Sequence, residues 1–244
     1  MPPSRLPGRQ PSPTSTWWRQ TFRRVPCTRT TWTLRLGAVT VVAVLLWATS
    51  SVWTTAVGRH LVCDPDGASG DAILIDNPDG RYMPFEQAMA LRRAGIASRV
   101  LVPVWVDTDT GAPNVATLAV AAALADVAHL GPYEIVPTVQ REPIALNVAH
   151  DVLAFLRRER IGSVIVVSPL FRSRRSALVY SAVLSQAGVS VRCAPGALEP
   201  HVSTWTATWH GVQEVVEQWF KLQYYRVYVL PLRTPETTPT TGLP

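Results

Sequence analysis

Three arginines crowd one junction in the stretch SPLFRSRRSALVY, Ser168 to Tyr180, where Arg172, Arg174 and Arg175 follow directly on the apolar run IGSVIVV. A guanidinium presents a planar fork of N–H donors that matches carboxylate or phosphate oxygens two at a time. On a helix Arg172 and Arg175 stand three residues apart and share a face, whereas Arg174 points elsewhere. A helix N-terminus attracts anions and disfavours cations, so three cations there need a reason. Either Arg172 and Arg175 hold a phosphate or carboxylate, or the group pairs with acids such as Glu142 and faces water.

Other side chains could join that chemistry. Glu142 would act as a general base or orient an arginine, or it is a first-turn acid stabilised by the helix dipole. Ser168 and Asn147 would add hydrogen bonds. Asp76 and Asn77, in IDNPDG, are candidate cleft residues, and Asp76 and Asp79 could bind a hydroxyl or a metal, although NPDG is first of all a turn signal. No motif assigns a catalytic residue, a cofactor or a metal. Ser168 lacks a G-x-S-x-G elbow, the histidines show no H-x-x-x-H spacing, and there is no CxxC, Walker or G-x-G-x-x-G sequence.

The elements that must position these residues alternate regularly. Apolar strand-like runs are Ala72–Asp76, Arg99–Val104, Tyr133–Pro137, Ser163–Ser168 and Ser190–Cys193. Their unbroken Val/Ile/Leu content suits parallel strands buried on both faces. Between them lie helical stretches punctuated by proline at the start and glycine at the end: Pro84 to Gly95, Pro113 to Leu130, Glu142 to Glu159 and Arg172 to Ala187. This pattern predicts an α/β fold, a Rossmann-like, doubly wound, mostly parallel five-stranded sheet with right-handed crossovers. Ligands in such a sheet bind outside the carboxyl ends of the strands, where strand order switches, and the arginines sit on that edge. A last helix from Trp209 to about Tyr225 is expected to pack on one sheet face through Val212, Val216, Trp219 and Phe220.

Charge divides the 244-residue chain unevenly. The formal net charge is +6, but residues 1–35 hold seven arginines and no acid, while Arg59 to Leu232 carry 15 basic and 16 acidic side chains, a net charge of −1. The basic character belongs to the tail and not to a folded binding face, which argues against a nucleic-acid partner. Next comes Leu36 to Val57, 22 residues without a charge. That length crosses a hydrocarbon core as a helix, and the arginines on its flank mark the cytoplasmic side. The division expected is a disordered basic tail over 1–33, a transmembrane helix over 34–58, an extracytoplasmic domain over 59–232 and a Pro/Thr tail over 233–244. A cleaved signal peptide is the rival reading, against which the long charged segment and long apolar run both speak. Cys63 and Cys193 would then share an oxidising space, paired or not.

Within this frame the chain resembles the YdcF-like family, bacterial envelope proteins that include SanA and ElyC. The likeness runs from about Asp71 to Pro195, loosely to Tyr225, and is best in VIVVSPLFRSRRSALVY. Ser168, Phe171 and Arg175 match a strand-ending pattern of Ser or Thr, an aromatic, a His, and an Arg three residues later, with Arg172 in the His position. EPIALNVAHDV, with Glu142 and Asn147, resembles the segment before it. The glycines usual after the first two strands are replaced by IDNPDG and VPVWVD. The resemblance implies a Rossmann-like fold and a cell-envelope role in wall or polysaccharide biogenesis. Three functions follow as expectations: binding of an anionic, phosphate-bearing metabolite, a non-catalytic scaffold in an envelope complex, or phosphoester hydrolysis or transfer. Arg172 in place of His removes the side chain best suited to proton transfer near neutral pH.

Overall fold

The computed structural model describes residues 32–65, 67, 69–76, 80–107, 110–196 and 201–233. Asn77, Asp79 and almost all of both tails lie outside them. Five strands, β1 (Ala72–Ile75), β2 (Arg99–Trp105), β3 (Glu134–Thr138), β4 (Ser163–Pro169) and β5 (Ser190–Gly196), form one all-parallel sheet in the order β3-β2-β1-β4-β5. The expected α/β architecture is therefore present, with the switch in strand order between β1 and β4.

Strand composition follows from burial on both faces. Ala72, Leu74, Val164 and Val166 point into one core, and Ile73, Ile75, Ile165 and Val167 into the other, so no position along β1 or mid-β4 tolerates water. The first core is closed by α5 (Ile144–Glu159) and α6 (Ser173–Leu184), and the second by α3 (Met83–Arg93) and α4 (Val115–Val127). Asn114 caps α4 by accepting from the N–H groups of Ala116 and Thr117, both at 3.1 Å. Gly95 and Gly188, with φ of 71° and 77°, let the chain turn left-handed where α3 and the helical stretch after α6 end, and His129, with φ of 49°, does so after α4.

The apolar run folds differently from the single span expected. It is divided at Thr49 between α1 (Trp32–Ala48) and α2 (Ser50–Leu61). Thr49, Ser50 and Ser51 bring hydroxyls that compete for backbone hydrogen bonds and favour helix ends over helix interiors. No single helix among the described residues is long and apolar enough to cross a membrane. The chain forms two compact units, residues 1–48 and residues 49–244. In the first, α1 buries none of its residues. The second includes α2, whose Thr54 and Leu61 are buried.

The last helix, α7 (Trp209–Tyr224), continues through a π-helical turn, Tyr225–Val229, to Arg233. It buries Gly211, Val215, Gln218 and Leu222, while Val216, Trp219 and Phe220 are exposed, a correction to the expected face. The buried stripe packs with Leu61 of α2, Phe171 and Trp205 in a third core. Gly211 and Gln218 in that stripe hide it from a hydropathy pattern. Trp205 Nε1 donates to the Thr54 carbonyl at 2.9 Å, and Cys63 is joined to Cys193 by a disulfide.

On the opposite side of the sheet from the switch-point edge, Arg99 grips Glu134 with two hydrogen bonds of 2.8 and 2.6 Å and approaches Glu159 at 3.4 Å. The Arg99 bonds hold the Glu134 carboxyl below its ordinary range, and hydrogen bonding to Ser163 does the same for Asp71. A carboxylate depressed in the folded state contributes stability that is present above its unfolded value, near 4, and lost as pH falls through the folded one. Thermal stability will therefore decline below about pH 4, and Glu134→Gln will flatten that acid limb by up to one proton taken up per molecule. An unchanged limb in the variant would show that other carboxylates govern it.

Candidate functional site

At the carboxyl ends of the strands a cleft of about 690 Å³ opens beside the β1–β4 switch. Its charged lining consists of Asp76 after β1, Glu142 before α5, Arg172 and Arg175 after β4, and Lys221 of α7. A 3₁₀ turn, Leu170–Arg172, carries the chain from β4 into α6 and leaves Arg172 at the helix N-cap position. This local geometry brings both arginines off one short segment onto the cleft.

Burial distinguishes them from surface arginines. Arg172 is 4 % exposed and Arg175 9 %. Burial disfavours the charged form of Arg172 and lowers its pKa, against which the Asp76 carboxylate acts in the raising direction. Arg175 has no hydrogen-bond partner at Nε among the described residues. Its guanidinium lies 5.5 Å from the centre of the Tyr225 ring, a cation–π contact. Tyr225 is held in place because its hydroxyl accepts the Ala145 N–H at 3.2 Å. The π-helical turn that begins at Tyr225 is the local distortion that accompanies this placement.

Asp76 is fixed from below. Ser176 donates to its Oδ2, and the Tyr180 hydroxyl lies 3.4 Å from its Oδ1. Burial, followed by the Asp76 charge, pushes the Tyr180 phenol well above its ordinary pKa, so it remains protonated and available as a donor. The carboxylate is thus oriented by α6 hydroxyls and offsets part of the arginine charge.

The remaining residues singled out by sequence are distributed as follows. Glu142 is exposed on the cleft rim. Asn147 and Ser168 are not among the described residues lining the cleft. Asn147 uses its amide N–H₂ on the carbonyls of Arg141 and Pro143, at 3.0 and 3.2 Å, and so braces the turn into α5. Ser168 is buried in β4, its Oγ without a partner among the described residues. Arg174 turns away, donating from Nε to the Val62 carbonyl at 3.1 Å, with its other end 3.8 Å from Asp64. No cluster of His, Cys, Asp or Glu among the described residues could hold a metal ion.

Sequence reasoning missed Ser176, Tyr180, Lys221 and Tyr225 as contributors. Ser176 and Tyr180 follow Arg172 at intervals of four, a spacing that helix periodicity makes readable. Tyr225 and Lys221 reach the site only through the tertiary course of α7, for which no local signal exists.

Chemically, the arrangement could hold an anion: Arg175 has an Nε without a partner among the described residues, whereas Lys221 is already paired with Glu217 at 2.5 Å. The chain matches no family model, and no curated protein or solved structure is similar to it.

Proposed function

We propose that this chain is a membrane-anchored YdcF-like protein of the bacterial cell envelope whose folded domain lies outside the cytoplasmic membrane and binds a phosphate-bearing metabolite through Arg172 and Arg175. The observation that carries this reading is Arg175, nine-tenths buried at the cleft with an unsatisfied Nε. Burying a cation without such a partner costs several kcal/mol, roughly, and a bound anion would offset it. The disulfide fits an oxidising compartment, and the seven-arginine tail before the apolar run fits a cytoplasmic flank. Together α1 and α2 have the length and composition of a span.

Calorimetric titration of the full chain in detergent with inorganic phosphate and phosphate esters at low salt tests the reading. Arg175→Ala and Arg172→Ala are each expected to weaken binding about ten- to hundredfold, the range for a charge-assisted hydrogen bond. Arg175→Lys should recover little, because an ammonium lacks the planar fork. Absence of binding by the unaltered protein, or equal binding by the variants, overturns it.

One observation favours a scaffold as the second reading. Trp219, Phe220, Tyr224 and Tyr228 form an exposed aromatic surface on the last helix, with Tyr224 stacked on Tyr228 at 5.4 Å. Aromatic surfaces of this kind are enriched where proteins meet partners.

A further inference from the structure

The two buried arginines stand at one side of the cleft. Arg172 and Arg175 follow β4, and Asp76 follows β1. Beyond β1, the same cavity is walled by Val102 of β2, Phe85 of α3, Val120 and Leu124 of α4, and Ile144 and Val148 of α5. Strands in a sheet are spaced about 4.8 Å apart, so from β4 to β2, two spacings away, the wall changes from cationic to apolar over roughly 10 Å. Inorganic phosphate would fill one end and leave the apolar length unused.

Helix α4 adds a second observation. Its sequence VATLAVAAALADV contains no charge before Asp126, and it leaves Val115 and Val127 exposed at 82 % and 62 %. Val120 is 47 % exposed and also lines the cleft, so the apolar wall continues outward along this helix to the cleft mouth. Across that mouth stands Tyr224, 49 % exposed. The hydrogen-bonding side chains along this side, Trp105, Thr117, Thr138, Gln140 and Glu142, are set among a larger number of apolar ones.

Building on the anion site proposed above, we infer that the ligand is an amphiphilic phosphate monoester, with its phosphate on Arg172 and Arg175 and an aliphatic group laid along α4. Arginine selects the head, and the α4 wall selects the chain by area removed from water, without directional contacts.

The test is a competition series on the full chain in detergent-free nanodiscs, using inorganic phosphate, butyl phosphate and octyl phosphate below their aggregation concentrations. Each methylene buried on this wall is expected to tighten binding about two- to fourfold, so octyl phosphate should bind at least tenfold tighter than butyl phosphate. The double variant Ala116→Gln/Val120→Gln changes only exposed cleft-lining positions and should abolish the chain-length gain while leaving inorganic phosphate binding intact. Arg175→Ala should weaken all three ligands together. Phosphate binding with no dependence on chain length overturns the inference and leaves the anion site standing. A chain-length gain that survives in the glutamine variant overturns the placement on α4, and octyl phosphate binding undiminished in Arg175→Ala marks unspecific detergent-like binding and overturns the inference. Failure of every ligand to bind removes the anion site as well.

Discussion

Reduction of the Cys63–Cys193 disulfide will lower the stability of the folded unit by about 4–5 kcal/mol, the chain-entropy value for a closed loop of this size. The two cysteines are 130 residues apart, and the loop they close contains β1 to β4 and the arginine junction. Cys63 directly follows α2, and Cys193 lies within the edge strand β5, so the bond fixes the start of the unit to its sheet edge. Unfolding in guanidinium with and without reductant measures the effect, and the reduced protein should melt roughly 10–15 °C lower. Cys63→Ala/Cys193→Ala should reproduce the loss. Equal midpoints would mean that the reduced unfolded chain retains structure that already restricts this loop.

Arg175→Met will have the opposite effect on stability while eliminating anion binding. Methionine fills a comparable volume with a flexible apolar side chain. The substitution removes a buried cation that has no partner at Nε among the described residues and that lies close enough to Arg172 to disfavour its charge. Replacing buried charge by apolar volume is commonly neutral or stabilising by about 1–4 kcal/mol, and loss of the Tyr225 contact gives back about 1 kcal/mol of that. A melting point a few degrees higher, with phosphate titrations flat, is the expected pair of results. Such opposition between stability and binding characterises a site kept for function. A lower melting point would instead make Arg175 a structural residue and remove the basis for the anion site.

The sheet was readable before any coordinates because parallel strands buried on both faces leave a direct imprint. AILI of β1 and SVIVVSP of β4 are continuous apolar runs, and proline and glycine mark most of the helix ends between them. The position of Arg172 and Arg175 at the carboxyl edge of the sheet was readable for the same reason, since topology fixes it once the strands are known. What sequence did not disclose depends on contacts between distant segments. The face used by α7 was misread because Gly211 and Gln218 occupy its buried stripe while Trp219 and Phe220 are exposed. Asn147 was expected to add hydrogen bonds at the site, and its N–H₂ is used on the backbone beside it. The break at Thr49 lies inside an uncharged run, where hydropathy averaged over a window does not register three hydroxyl side chains.

That break also bears on how the protein should be cut for expression. The charge at Arg59 invites a truncation there, at the apparent end of a hydrophobic leader. Gly58, one residue before that cut, sits so close to the following segments that a Cβ would come within 2.8 Å of the Val202 carbonyl oxygen. Four residues earlier, the Thr54 carbonyl receives the indole N–H of buried Trp205. A fragment starting at Arg59 would strip a helix from the third core and leave that indole donor unsatisfied in an apolar cavity, at a cost of roughly 1–3 kcal/mol for the donor alone. A recombinant domain should instead begin at Thr49, so that α2 is kept whole with its buried Thr54, Gly58 and Leu61.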